Sequence, residues 1–305
     1  MDKFDYDGLK RKIKNFNFDV NEIKYLGGGV DSNAYLVNNE YVFKFGISED
    51  SKKDYLNSKN ISNFFKDNLE TNIAIPNIEY LYITDEFQII GYKEIKGTFL
   101  SHKIYEKMSL EKKEKLAKDI ASFLKKIHNL DVSGTNIKKL NMKEQMLDEV
   151  NLIKNNLYSS LNSQEKKYID KFEERIKTSN IFGDRMCLCH VDFTACHLLI
   201  DDDNNFFGVI DWGGASLTQE YADFPYLLSD GDDEISSSFG MKVLEYYEDI
   251  NIGKAIEYAK IHRMEYPINT LAYGISNNDI KSINFGKKLM ADKCQFDEDI
   301  IAIMN

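Results

Sequence analysis

The stretch 187–211, CLCHVDFTACHLLIDDDNNFFGVID, constrains what this chain can fold into more than any other part of it. Residues 187–189 are apolar and brief. Phe206, Phe207, Val209 and Ile210 form a second run, rich in the aromatic and β-branched residues that strands favour. The polar residues 201–205 make a turn. Asp192 and Asp211 therefore fall at strand ends, where side chains face a cleft.

A hairpin with acidic ends is by itself an ordinary surface feature. The combination carries chemistry, because Asp192 can accept a proton, His197 follows five residues later, and Asp211 comes fourteen after that. Phosphoryl transfer asks little else of a protein. It needs a carboxylate to orient and deprotonate the attacking hydroxyl, and ligands that hold Mg²⁺ between the phosphates.

Upstream, residues 23–26, 33–37 and 41–45 read as three strands, joined by the triple glycine 27–29 and an Asn38-Asn39 turn. In the third, Tyr41, Phe43 and Phe45 point one way, while Val42 and Lys44 point the other. A lysine inside an apolar strand needs a partner. That partner is a nucleotide phosphate under the glycine turn or, if Lys44 is an edge-strand charge, solvent. The glycines lack the Gly-Lys-Ser/Thr ending of a P-loop and suit any tight hairpin. Residues 73–82 and 87–92 read as two further strands, and 5–16 and 52–66 as helices.

From the N-cap Ser109 the pattern turns helical, with Leu116, Ile120, Phe123, Leu124 and Ile127 at helix spacing and His128 as a structural residue at the end. Two more helices follow around Met146–Leu157 and Tyr168–Ile176, and residues 239–247, 253–266 and 282–293 close the chain as helices. The expected fold class is α+β: a small five-stranded antiparallel lobe, then a larger, mainly helical lobe.

A length of 305 residues suits two lobes, and 43% hydrophobic residues with only three prolines suit packed cores. No apolar run marks a signal or membrane span, so a soluble, cytoplasmic protein is expected. Cys187, Cys189, Cys196 and Cys294 lack the paired spacing of a zinc site and read as reduced packing residues. A net charge of −11 opposes nucleic acid and anionic membranes as partners and favours a polycation.

His190-Val191-Asp192 through His197, and then Gly208-Val209-Ile210-Asp211-Trp212-Gly213, resemble the catalytic loop and metal-binding segment of the aminoglycoside phosphotransferases, relatives of the protein kinases. The likeness is strongest to the 2''-phosphotransferases and extends over nearly the whole chain, including 91–100 and the Ala222-Asp223-Phe224 run. It implies a protein-kinase-like fold with a nucleotide-binding lobe at 1–95 and a catalytic, substrate-binding lobe at 96–305. Asp192 is then the catalytic base, and His197 and Asp211 hold Mg²⁺. Lys44, Gly28, Gly29 and Ser32 meet the nucleotide phosphates, and Tyr92, Glu94 and Ile95 meet the purine. The donor is GTP or ATP, with Tyr92 expected to make GTP at least as good as ATP. The substrate is an aminoglycoside met by Asp192, Asp232, Asp233, Glu234 and Glu265, and the chain is expected to act as a monomer.

The chain departs from the family pattern in three places. No glutamate lies between Ser51 and Leu69, and Ser58 stands where kinase-like helices orient the strand lysine with one, so Asp54 supplies the ion pair or it is absent. Arg263 and Met264 fall where acids are common, and Gly214 replaces a frequent aspartate. A kinase of another small hydroxyl compound, of choline or homoserine type, and a nucleotide-binding pseudoenzyme therefore stay open.

Overall fold

The computed structural model describes residues 6–29, 32–46, 48–230 and 235–296. Helix α1 (Tyr6–Ile13) precedes strands β1 (Ile23–Gly28), β2 (Ser32–Val37) and β3 (Tyr41–Gly46). Helix α2 (Glu49–Asn68) then leads to β4 (Ile78–Ile83) and β5 (Gln88–Lys93). Among the described residues these strands form one antiparallel five-stranded sheet in the order β1-β2-β3-β5-β4. Asn38 and Asn39 turn β2 into β3 at positive φ, a conformation that asparagine tolerates better than most residues.

The alternation expected in β3 is observed. Phe43 and Phe45 are buried with Leu9 and Ile13 of α1, where Phe16, Phe18 and Tyr80 pack ring against ring. On the opposite face Val42 joins Tyr55 of α2, Ile78, Ile90 and Tyr92. The strand expected at 73–82 is shorter, because Pro76 has no N–H to give a ladder. Ala74 bonds instead to the later strand 206–209, its N–H donating to the Phe207 carbonyl at 2.8 Å and its carbonyl accepting from Val209 at 2.9 Å.

Past β6 (Thr98–Phe99) the chain is mainly helical, with α3 (His102–Glu106), α4 (Leu110–His128), α5 (Met142–Asn156) and α6 (Ser163–Thr178). Ser109 caps α4, which buries Leu116, Ile120, Phe123, Leu124 and Ile127 along one face. Strands β7 (Met186–Cys189), β8 (Leu198–Ile200), β9 (Phe206–Val209) and β10 (Ser216–Gln219) come next, and α7 (Ser237–Tyr247), α8 (Ile252–Ser276) and α9 (Ile280–Phe296) follow. Helix α8 runs through Pro267 instead of stopping before it. The lost bond is offset by burial of Pro267, Ile268 and Leu271, and the Tyr168 hydroxyl donates to the Met264 carbonyl in the disturbed turn. No helix among the described residues is long and apolar enough to cross a membrane.

Two features of this layout position the cleft. β7 pairs with β10, whereas β8 pairs with β6 and β9, so residues 190–197 are slung between two separate small sheets. Helix α2 joins the lobes, with Tyr55 in the sheet cluster, Ile61 and Phe65 in the large helical core, and Phe65 edge-on to Trp212 at 4.7 Å.

Candidate active site

Leaving β7, the chain puts Val191 at φ +74, a strained conformation for a β-branched residue. Asp223, fully buried, holds it there. One carboxylate oxygen accepts the Val191 N–H at 2.7 Å, and the other accepts the His190 N–H at 3.1 Å and lies 2.9 Å from His128 Nε2. His128 Nδ1 is 2.9 Å from the Tyr247 hydroxyl. His128 is thus structural, as expected, but its structural task is to brace the loop that follows β7. The His190 ring donates through Nε2 to the Ile210 carbonyl at 2.9 Å and packs edge-on against Trp212, tying the loop to the segment that carries Asp211. Burial lowers the His190 pKa, which keeps the ring neutral.

Asp192 stands half-exposed at the end of this loop. His197 folds back beneath it, Nδ1 donating to the Asp192 carbonyl at 2.9 Å, and its Nε2 lies 3.6 Å from Asp211 Oδ2. Because a carbonyl only accepts, Nδ1 carries the proton, and Nε2 holds the lone pair whenever the ring is neutral. Burial would lower the His197 pKa, but contact with Cys196 and the charges of Asp192 and Asp211 outweigh it and push it up to about 9. Lys44 Nζ sits 2.8 Å from the same Asp211 oxygen. Burial would raise the Asp211 carboxyl, yet Lys44 and His197 hold it below the usual range. Burial likewise opposes the charge on Lys44, and Asp211 overcomes that and raises its pKa.

The partner of Lys44 is therefore Asp211. Asp54, the substitute considered for the missing helix glutamate, lies instead against the Gly213 backbone, where an added Cβ would come within 2.9 Å of the Asp54 Cβ. Asp211 Oδ2 with His197 Nε2 makes a carboxylate and imidazole donor set that a divalent cation can use, the carboxylate being the harder ligand and the one Mg²⁺ prefers.

A cavity of about 290 Å³ opens at this point, and its walls include Gly29, Ser32, Lys44, Tyr92, Asp192 and Asp211 from the sequence-derived set, with Tyr55, Ser58 and Gly213 added. Five expected residues among those described lie off this wall, and one of them, His197, touches the lining residues Asp192 and Asp211. Gly28 is needed inside the hairpin, since a Cβ there would sit 2.3 Å from Asn33 Oδ1. The Glu94 N–H is already spent on the Glu40 carbonyl at 2.8 Å, and Ile95 packs on the backbone of Gly208. Glu265 is buried, and burial with the nearby charge of Glu149 holds its carboxyl well above the ordinary value, so it offers no open negative charge.

Asp232, Asp233 and Glu234 lie outside the described residues. A second groove, between α5 and α8, carries Glu144, Asp148 and Glu149, which periodicity alone did not separate from a solvated helix face. Cys187 and Cys189 are buried with Sγ atoms 3.6 Å apart, and folding brings His128 to them. Cys196, expected to be a packing residue, is instead exposed beside His197.

The model of the phosphotransferase enzyme family matches residues 22–261. Among solved structures, the chain is similar to the gentamicin complex of APH(2'')-IIa at 27% identity and a TM-score of 0.79, covering 95% of this chain and 97% of that one. It is similar to ADP-bound APH(2'')-Ib at 28% identity and a TM-score of 0.76, covering 93% of this chain and 97% of that one. A macrolide 2'-phosphotransferase from Brachybacterium faecium shares the fold at 12% identity and a TM-score of 0.70, with 93% and 97% covered.

Proposed function

Because the chain belongs to the phosphotransferase enzyme family and has its kinase-like fold, we propose that this enzyme moves the γ-phosphate of GTP or ATP to a hydroxyl, the 2'' hydroxyl, of an aminoglycoside. The observation that carries the reading is the convergence of Lys44, Asp192 and Asp211 on one cleft from segments far apart in sequence, with His197 against both aspartates. Asp192 is the base that orients the substrate hydroxyl and takes its proton as the phosphoryl group arrives. Asp211, with His197 through Nε2, would hold Mg²⁺, which when bound neutralises charge on the phosphates. Lys44, presented by β3, pairs with the nucleotide phosphates beneath the β1–β2 turn at Gly28, Gly29 and Ser32. Tyr92 closes the back of the purine site, and the backbone from Glu94 to Ile95 offers the Glu94 carbonyl and the Ile95 N–H. Residues 1–95 then serve as the nucleotide lobe and 96–305 as the catalytic lobe.

Aminoglycosides as substrates are supported by similar structures that are complexes with gentamicin and with streptomycin, and by the net charge of −11. Asp232, Asp233 and Glu234 are the proposed acids for the amino groups. The non-catalytic alternative rested on Ser58, and it loses that support because Lys44 has a carboxylate partner without a helix glutamate. A nucleotide-consumption assay with 4,6-disubstituted aminoglycosides, and with choline and homoserine as controls, tests the reading. Stimulation by the aminoglycosides alone is expected, and stimulation only by choline or homoserine would move the substrate elsewhere.

A further inference from the structure

If no carboxylate of α2 orients Lys44, something else must hold this helix against the catalytic machinery. The structure provides it one residue before Ser58. Asn57 is buried, and its Nδ2 donates to two backbone carbonyls across the lobe boundary, Gly213 at 2.8 Å and Ala215 at 2.7 Å. A side-chain amide nitrogen has two N–H donors and no more, so both are used here. The acceptors belong to the turn that begins at Asp211, and Asp211 itself sits at φ +68, where a residue with a side chain persists only when its surroundings hold it.

The rest of the turn is pinned from several sides. Gly213 lets the backbone approach Asp54 closely, with room for no Cβ between them. Trp212 takes Phe65 of α2 edge-on and donates Nε1–H to the Val209 carbonyl at 3.1 Å. From the catalytic-loop side His190 holds Ile210. Asn57 is thus a polar tie by which α2 reaches the turn.

We propose that Asn57 is a positioning residue for phosphoryl transfer: it sets the direction of Asp211 by holding the 213–215 carbonyls, a task that kinase-like enzymes share with a helix carboxylate paired to the strand lysine. The proposal rests on the reading of Asp211 as the metal-holding carboxylate. It explains how the chain does without a glutamate at 58. It also frees Lys44, since α2 keeps its place whether Lys44 faces Asp211 or a phosphate.

The test uses the full chain. Asn57→Leu removes both donors at nearly constant volume. In metal-free, nucleotide-free protein, the backbone amides of residues 211–216 should exchange with solvent roughly tenfold faster, the factor that one or two net hydrogen bonds are worth, while those of β7 stay unchanged. In calorimetric titrations with a fixed nucleotide concentration, the Mg²⁺ needed for half-saturation should rise roughly tenfold. Packing alone would move the melting temperature and neither of these. Unchanged exchange in the turn together with unchanged Mg²⁺ dependence overturns the proposal.

Asp211→Ala is run beside it. No effect of Asp211→Ala on metal-dependent binding overturns the metal reading itself, whereas a large effect there with none from Asn57→Leu overturns only the role of Asn57. Should Asn57→Leu not fold, Ser58→Glu decides. A second carboxylate would compete with Asp211 for Lys44, and kcat/KM should fall several-fold. A gain of tenfold or more would show that the missing ion pair had been left unreplaced.

Discussion

The two walls of the cleft are held by opposite chemistry. On the catalytic-loop wall a buried carboxylate, Asp223, accepts the N–H groups of His190 and Val191 and is backed by His128 and Tyr247. On the α2 wall a buried amide, Asn57, donates to the carbonyls of Gly213 and Ala215. A strained loop that presents donors calls for an acceptor, and a turn that presents acceptors calls for a donor. The difference matters energetically, because a charged acceptor that loses its partners, or leaves them bare, costs more than a neutral amide does.

The largest effect should come from breaking the charged side. Asp223→Ala strips three groups of their acceptor and is expected to cost about 3–5 kcal/mol in denaturant unfolding, as loss of one member of a buried charged pair typically does. A loss no larger than that of Asn57→Leu would erase the contrast between the walls.

The pH dependence of the metal-free protein sharpens the contrast through His197, which stands on the loop wall against Asp192 and Asp211. His197, at about 9 when folded against about 6.5 unfolded, contributes stability that is fully present below pH ~6.5 and is lost as pH rises through ~9. The contribution is of the order of 3 kcal/mol, read as a decline in unfolding free energy between those pH values that His197→Asn should flatten. Metal affinity should move the opposite way and rise over the same window, because a ligating ring must lose its proton.

Next in size is Asp192→Asn, which keeps the shape but gives up the proton acceptor. Turnover should fall by roughly 10²-fold or more, with nucleotide affinity little changed. Near-wild-type turnover would remove Asp192 from its role as base. The smallest effect belongs to the sheet wall. Tyr92 is buried at the back of the cavity, and Tyr92→Ala should improve ATP use relative to GTP by roughly tenfold, the scale of one mismatched hydrogen-bond register. An unmoved kcat/KM ratio between the donors would make Tyr92 packing alone.

Much of this was legible in local pattern. The period of two in β3 put Lys44 on the cleft face opposite Phe43 and Phe45, and the apolar runs flanking 190–205 placed Asp192 and Asp211 at strand ends. Such features depend on residues a few positions apart, where backbone geometry alone decides direction. Even the lack of a glutamate between Ser51 and Leu69 was visible in the sequence.

What replaced that glutamate was decided only by tertiary structure. Asn57 lies 156 and 158 residues from the groups it holds, and Asp223 lies 95 from His128. Asparagine, histidine and aspartate are common residues with no periodic signature, so nothing near them in the chain singles them out. Glu265 makes the same point in reverse, for it reads as a pocket acid by position but is buried, and burial pushes its carboxyl pKa up. Local period fixes which way a side chain points. Which partner it meets, and how much water remains between them, depends on how distant elements pack, and that sets both hydrogen-bond satisfaction and charge state.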